Sequence, residues 1–132
     1  MPLPDFDPLV AQWFAERFRG ATEPQQLGWP EIRSGRDVLI SAPTGSGETL
    51  AAFLICLDEL IREARSRTLE DRTRAVYVSP LKALSNDIHT NLEKPLAEIY
   101  ALAASQGLDL PRVRTAVRTG DTPAWERQTM VA

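Results

Sequence analysis

Residues 37–61, DVLISAPTGSGETLAAFLICLDELI, constrain this chain more than any other stretch: an apolar run gives way to small residues and then to a long helical pattern. Val38, Leu39 and Ile40 are apolar without alternation, the pattern of a strand covered on both faces in a parallel sheet. After the loop, Leu50, Phe53, Leu54, Leu57, Leu60, Ile61 and Ala64 recur on one face of a helix. Ala51, Ala52, Ile55 and Cys56 make its first turns apolar almost all round, which predicts a buried helix start. In the loop between, Ala42-Pro43-Thr44-Gly45-Ser46-Gly47-Glu48-Thr49, glycines let backbone N–H groups converge on an anion, and the helix N-terminus favours negative charge. A phosphate fits there. Against the general phosphate-loop pattern G-x-x-x-x-G-K-[ST], however, only Gly47 and Thr49 are kept, with Ala42 at the first glycine and Glu48 at the lysine. A glycine-rich turn without a ligand fits the same residues.

The rest of the chain extends this unit into an α/β sandwich. Leu9, Trp13, Phe14 and Phe18 recur at helical spacing ahead of Gly20 and predict a helix over 8–18. A second helix is expected to start near Pro24 with Thr22 as its N-cap and to end at Gly35, with Leu27, Trp29 and Ile32 available to pack. Residues 66–73 read as a surface loop, and Ala75, Val76, Tyr77, Val78 and Ser79 as a second buried strand. Leu81, Leu84, Ile88 and Leu92 follow at helical spacing until Pro95 breaks or kinks the pattern; it resumes with Leu96, Ile99, Leu102 and Ala103 and stops at Gly107. Residues 113–117 alternate like a strand near a sheet edge, and a helical turn or two follows Pro123. Two helices and then three strand–helix repeats imply right-handed parallel crossovers.

Composition narrows the function. The chain has 132 residues, room for one core rather than two domains. A net charge of −3 argues against a strongly basic nucleic-acid tail and leaves only a local basic track. The single cysteine, Cys56, has no internal disulfide partner, and with His89 as the sole histidine there is no zinc-ligand spacing. Both read as ordinary residues, Cys56 in the core and His89 on an exposed helix face. The acidic start MPLPDFDPLV does not read as a secretory signal, and the apolar run 50–57 is far short of the ~20 residues of a membrane span. A cytoplasmic protein away from membranes is the expectation. Trp13, Trp29 and Trp125 read as packing groups, with base stacking as the alternative.

Four elements, in order, resemble the superfamily 2 DEAD/DEAH-box helicases, and among them the large helicase-related, Lhr-like group. APTGSGET is similar to the family's motif I, A-x-T-G-S-G-K-T, in which an alanine at the first position is normal. Thr22-x-x-Gln25 resembles the adenine-reading glutamine motif, VSPLKALSND resembles motif Ia, and Arg118-Thr119-Gly120-Asp121-Thr122 resembles the short nucleic-acid loop after the third strand. The resemblance implies a RecA-like parallel sheet sandwiched by helices, residues 1–132 being the N-terminal part of the first such domain. It implies ATP at Gln25, Thr44, Gly45, Ser46, Gly47, Glu48 and Thr49, with the Thr49 hydroxyl on Mg²⁺. It implies DNA or RNA, held as a single strand through its phosphates, at Ser79, Pro80, Leu81, Lys82, Arg118, Thr119, Gly120 and Asp121, and association with other helicase domains. The chemistry agrees: a glutamine amide both donates and accepts, so Gln25 suits the edge of adenine, and Ser79 and Lys82 fall at the carboxyl end of a strand, where ligands of parallel sheets bind. Gln25 as a solvated helix residue and Lys82 as an exposed helix-start charge are the plain alternatives.

Two departures limit this chain. Glu48 replaces the lysine that draws on the phosphates. Opposite charges about 4 Å apart attract by about 4 kcal/mol at an effective dielectric of about 20, so reversing one lowers nucleotide affinity by orders of magnitude. Lys to Glu is a single-base change, which fits an inactivating point mutation as well as a selected feature. The sequence also reaches Ala132 before any Asp-Glu pair that would hold magnesium and polarise water. In the family, the strand carrying that acidic box and the next one lie between the motif I and motif Ia strands, so the expected sheet is incomplete at its centre. The expectation is a helicase fragment without turnover, against a catalytically silent nucleic-acid or partner-binding module or a non-functional pseudogene fragment.

Overall fold

The computed structural model describes residues 5–43, 48–78, 92–116, 118 and 121–130, the side chains of residues 48 and 49 excepted. Helix α1 (Pro8–Arg17) starts where the Asp7 carboxylate accepts the Leu9 N–H at 3.0 Å, an N-cap followed by a proline whose missing N–H costs nothing there. Phe18 ends it by turning to extended backbone. Helix α2 (Glu23–Arg33) starts after Thr22, as expected, and Gly35 follows it at φ +80°, a left-handed conformation natural for glycine. Helix α3 (Glu48–Ser66) is the long helix after the glycine-rich loop. Helix α4 (Lys94–Ser105) carries Pro95 in its first turn, directly after a π-helical turn at residues 92–93, so the proline sits at the expected break in the regular helix, and Gly107 follows at φ +75°. Helix α5 (Ala124–Thr129) is the short turn after Pro123. The motif Ia helix expected over residues 81–92 lies almost entirely outside the described residues.

The core is built by α1, α2, α3 and α4 around Trp29, which is fully buried. Phe6 and Phe14 meet its indole edge-on, with ring centroids 5.2 and 5.5 Å away, a geometry worth about 0.5–1.5 kcal/mol per pair beyond burial itself. Its Nε1 finds no hydrogen-bond partner among the described residues, a cost of about 1–3 kcal/mol that the ring packing must outweigh. Leu54, Leu57, Ile61 and Ala64 bring the predicted stripe of α3 into this core, with Phe53 and Leu60 half-buried at its margins. Helix α1 holds α4 through the Trp13 indole, which donates to Glu98 at 2.6 Å, and through Arg17, 3.3 Å from the same carboxylate. Three expectations need correction: Leu27 points outward at 63% exposure, Ala52 is exposed, and Cys56 is half-buried.

The expected sheet is not formed among the described residues. No residue in 36–43, 73–78 or 108–116 joins a strand ladder. A ladder needs a neighbour for each backbone N–H and C=O, and the resemblance implies that two further strands, not among these 132 residues, stand between the first two. The segments are instead held from one side by helices. Ile40 lies over Gly28 of α2, and the Tyr77 ring packs 4.9 Å from the Phe53 ring of α3. The third segment is stitched by Tyr100 of α4, whose hydroxyl donates to the Pro111 carbonyl and accepts from the Val113 N–H, each at 2.7 Å. Burial raises the Tyr100 pKa, against the Val113 bond and the nearby Arg112, so the phenol keeps its proton for Pro111.

The opposite side of these segments is bare: Leu39 is 93%, Val78 84% and Val76 76% exposed. The expectation of strands covered on both faces therefore holds for one face only. Such apolar segments, outside any strand ladder among the described residues, invite edge-to-edge association. The isolated chain is predicted to self-associate and to bind a hydrophobic dye, and Leu39→Lys with Val78→Lys to reduce both while leaving helical circular dichroism intact. Sedimentation showing a monomeric parent chain, or association unchanged in the double variant, would contradict this.

Candidate functional site

The site is set by how α2 and α3 lie together. A Cβ at Gly28 would come 3.1 Å from Ile40 Cδ1 and 4.0 Å from Ala51 Cβ, so the bare glycine lets Ile40 sit close on α2, with Ala51 of α3 beside it at ordinary contact distance. Further along, the Arg33 guanidinium donates to Asp58 at 2.7 Å. Position 28 meets 51 and position 33 meets 58, so the two helices run in the same sense. Their N-termini lie at one end of the pair, with Gln25 about one turn before Gly28 and Glu48 about one turn before Ala51.

Gln25 is 3% exposed, which sets aside the solvated-residue alternative. Its Oε1 accepts the Thr22 N–H at 3.0 Å, the glutamine half of a capping box, and the amide is thereby held in one orientation. A carbonyl oxygen has two lone pairs, so the Thr22 bond does not by itself exhaust its acceptor capacity. Glu48 and Thr49 open α3, where backbone N–H groups have no partner within the helix. Thr44, Gly45, Ser46 and Gly47 lie outside the described residues, as do Ser79, Pro80, Leu81, Lys82, His89, Thr119 and Gly120. Arg118 and Asp121 are both exposed. Trp13 and Trp29 are core groups, while Trp125 is 69% exposed on α5. Burial, with the Glu59 charge adding to it, raises the Cys56 pKa, so the thiol is neutral at ordinary pH and unsuited to nucleophilic chemistry. Among the described residues no three His, Cys, Asp or Glu side chains are grouped as metal ligands, and no helix is long and apolar enough to cross a membrane.

Sequence reasoning missed a buried ionic network beside this pair. Asp58, fully buried on α3, accepts from Arg33 at 2.7 Å, from Arg62 Nε at 2.9 Å and from the Asp7 backbone N–H at 2.5 Å. The Asp7 carboxylate, itself buried, takes Arg65 in two bonds of 2.9 and 3.0 Å while capping α1. Arg62 also donates to the Asp5 carbonyl. The signal was available: Asp58 interrupts the apolar stripe formed by Leu54, Leu57 and Ile61. Asp58-Glu59 is no magnesium-holding acid pair, since Asp58 is already neutralised by arginines.

Comparison with known proteins agrees with the resemblance. The DEAD/DEAH box helicase family model matches residues 22–124. The chain belongs to the DEAD/DEAH box helicase family. Within that family its similarity is to the Lhr group: it is 52% identical to ATP-dependent helicase Lhr-Core protein 2 of Thermococcus barophilus over 92% of this chain and 14% of that protein. It is 51% identical to ATP-dependent helicase Lhr-Core of Methanothermobacter thermautotrophicus over 94% of this chain and 14% of the relative. The structure of Mycobacterium smegmatis helicase Lhr bound to ssDNA and AMP-PNP matches with a TM-score of 0.83 and 41% identity, over 98% of this chain and 16% of that one. The fold is thus RecA-like, and the chain spans about one-seventh of the length of these curated relatives.

Gly28 gives this arrangement a direct test. Gly28→Ala is predicted to be nearly neutral, because the helix gains about 1 kcal/mol of propensity while Ile40 Cδ1 gives way. Gly28→Val is predicted to overpack the contact and cost about 1–3 kcal/mol. Thermal melts in which both variants behave alike would contradict the close approach.

Proposed function

We propose that the chain forms the nucleotide-reading part of the first RecA-like domain of an Lhr-like ATP-dependent helicase, with ATP affinity lowered by Glu48 and no turnover by these 132 residues alone. The observation that carries this is the same-sense pairing of α2 and α3, which brings a buried, oriented Gln25 and the start of α3 to one end. Gln25 would read the adenine edge, the backbone of residues 45–47 and the first turn of α3 would receive the phosphates, and the Thr49 hydroxyl would hold Mg²⁺. Magnesium bound there would offset phosphate charge. The purine end fits these residues; the phosphate end lacks the lysine, and Glu48 repels what the helix N-terminus attracts.

Residues 38–40, 75–79 and 113–117 would be strands of the parallel sheet, pairing once the intervening strands of the domain are present. Ser79, Pro80, Leu81, Lys82, Arg118, Thr119, Gly120 and Asp121 would hold a single strand of DNA or RNA through its phosphates, in the cytoplasm and alongside the other helicase domains. The mycobacterial relative supports both ligands, having been solved with ssDNA and with AMP-PNP, which carries an adenine and a phosphate chain. Strand separation or translocation would be the activity of the longer protein.

Glu48→Lys is predicted to raise Mg²⁺-dependent ATP affinity by at least about tenfold, since that needs only ~1.4 kcal/mol of the several that charge reversal supplies. Phosphate release should stay at background. Equal ATP affinity of the two chains would contradict the role of Glu48, and hydrolysis by either would contradict the absence of turnover. Lys82→Ala with Arg118→Ala should weaken single-strand binding regardless of base sequence and flatten its salt dependence. Fluorescence anisotropy unchanged in that variant would overturn the nucleic-acid assignment.

A further inference from the structure

We propose that Asp58 is a positioning residue for nucleotide selectivity: by fixing α2 against α3 it sets where Gln25 stands relative to the start of the phosphate-binding helix. The inference rests on the reading of Gln25 as the purine-recognising group. Three chain segments converge on the Asp58 carboxylate: the last turn of α2 through Arg33, the body of α3 through Arg62, and the cap of α1 through the Asp7 N–H. The adjoining Asp7–Arg65 pair fastens the same cap to the last turn of α3.

Burying the Asp58 carboxylate against arginines that stay part-exposed is a poor way to gain stability, because taking its charge out of water costs much of what the attraction returns. Leucine at position 58 would extend the stripe of Leu54, Leu57 and Ile61 and hold α2 at least as firmly. What an apolar contact lacks is direction. The 2.7 Å bond from Arg33 fixes the axial position of α2 against a carboxylate that Arg62 and the Asp7 N–H hold in place, whereas an apolar groove allows α2 to slide. Sliding by one residue is about 1.5 Å, and a rigid helix carries that displacement to Gln25. A base-edge hydrogen bond does not survive it. Asp58 therefore acts at a distance from the nucleotide, on which purine is bound rather than on whether phosphates are.

The experiment measures ATP and GTP affinity with fluorescent analogues, on chains carrying Glu48→Lys and at nanomolar protein, where self-association is suppressed. Gln25→Ala is compared with an apolar replacement of the network, Asp58→Leu with Arg33→Met and Arg62→Leu, and with the isosteric Asp58→Asn. The expected result is an ATP-over-GTP preference that falls about tenfold in Gln25→Ala, the worth of one good bidentate base contact. It should fall several-fold in the apolar variant at unchanged helical content and melting temperature. If the apolar variant does not fold, the same loss is expected in folded Asp58→Asn. A preference lost in Gln25→Ala but retained in the Asp58 variants would overturn the positioning role and leave the purine reading standing. A preference unmoved by Gln25→Ala would overturn that reading and this inference with it.

Discussion

Everything in this structure depends on the close, same-sense pairing of α2 and α3. A glycine where another residue would carry a Cβ lets Ile40 close onto the surface of α2 beside Ala51, and a buried carboxylate further along locks the helices in register. The first contact is steric and short-ranged; the second is directional. Together they place the residue that would choose the base beside the helix that would receive the phosphates. Neither contact touches the candidate ligand.

The same pairing explains how a helical core persists beneath segments that do not pair. Trp29 on α2 is clasped by Phe6 and Phe14, and α3 supplies the other wall, so the apolar burial that stabilises the molecule lies on one side of the would-be sheet. Ile40 and Tyr77 rest on this layer while Leu39, Val76 and Val78 face away from it. The match to the mycobacterial helicase over 98% of this chain shows that the trace keeps the family's course without a ladder among the described residues. Helix packing directs the path, and strand pairing would seal it.

Most of the helical frame was legible in the sequence because caps and periodicity are local signals. Thr22, Gly35, Gly107 and the stripe along α3 all act within a turn or two of their own positions. The family, too, was legible, since its motifs are runs of chemically constrained residues such as APTGSGET. The sheet was less legible for the opposite reason: the apolar run at 38–40 reports what a strand prefers, whereas a ladder requires partners elsewhere in the chain. Gln25 was identified by its motif, but its burial and its bond to Thr22 were not. The Asp58 network was missed because its bonds from Arg33 and from the Asp7 N–H join residues far apart in sequence. Only the interruption of an apolar stripe by a single acid betrayed it.

The central claim, that α2 and α3 run side by side in the same sense, is tested most directly by pulsed dipolar distances between spin labels on exposed positions. With Cys56→Ser as background, Leu27→Cys is paired once with Ala52→Cys and once with Glu59→Cys. Positions 52 and 59 lie about 10 Å apart along α3, so same-sense pairing predicts a clearly shorter distance from 27 to 52 than from 27 to 59. Equal distances, or the reverse order, would contradict the arrangement on which the nucleotide site is built.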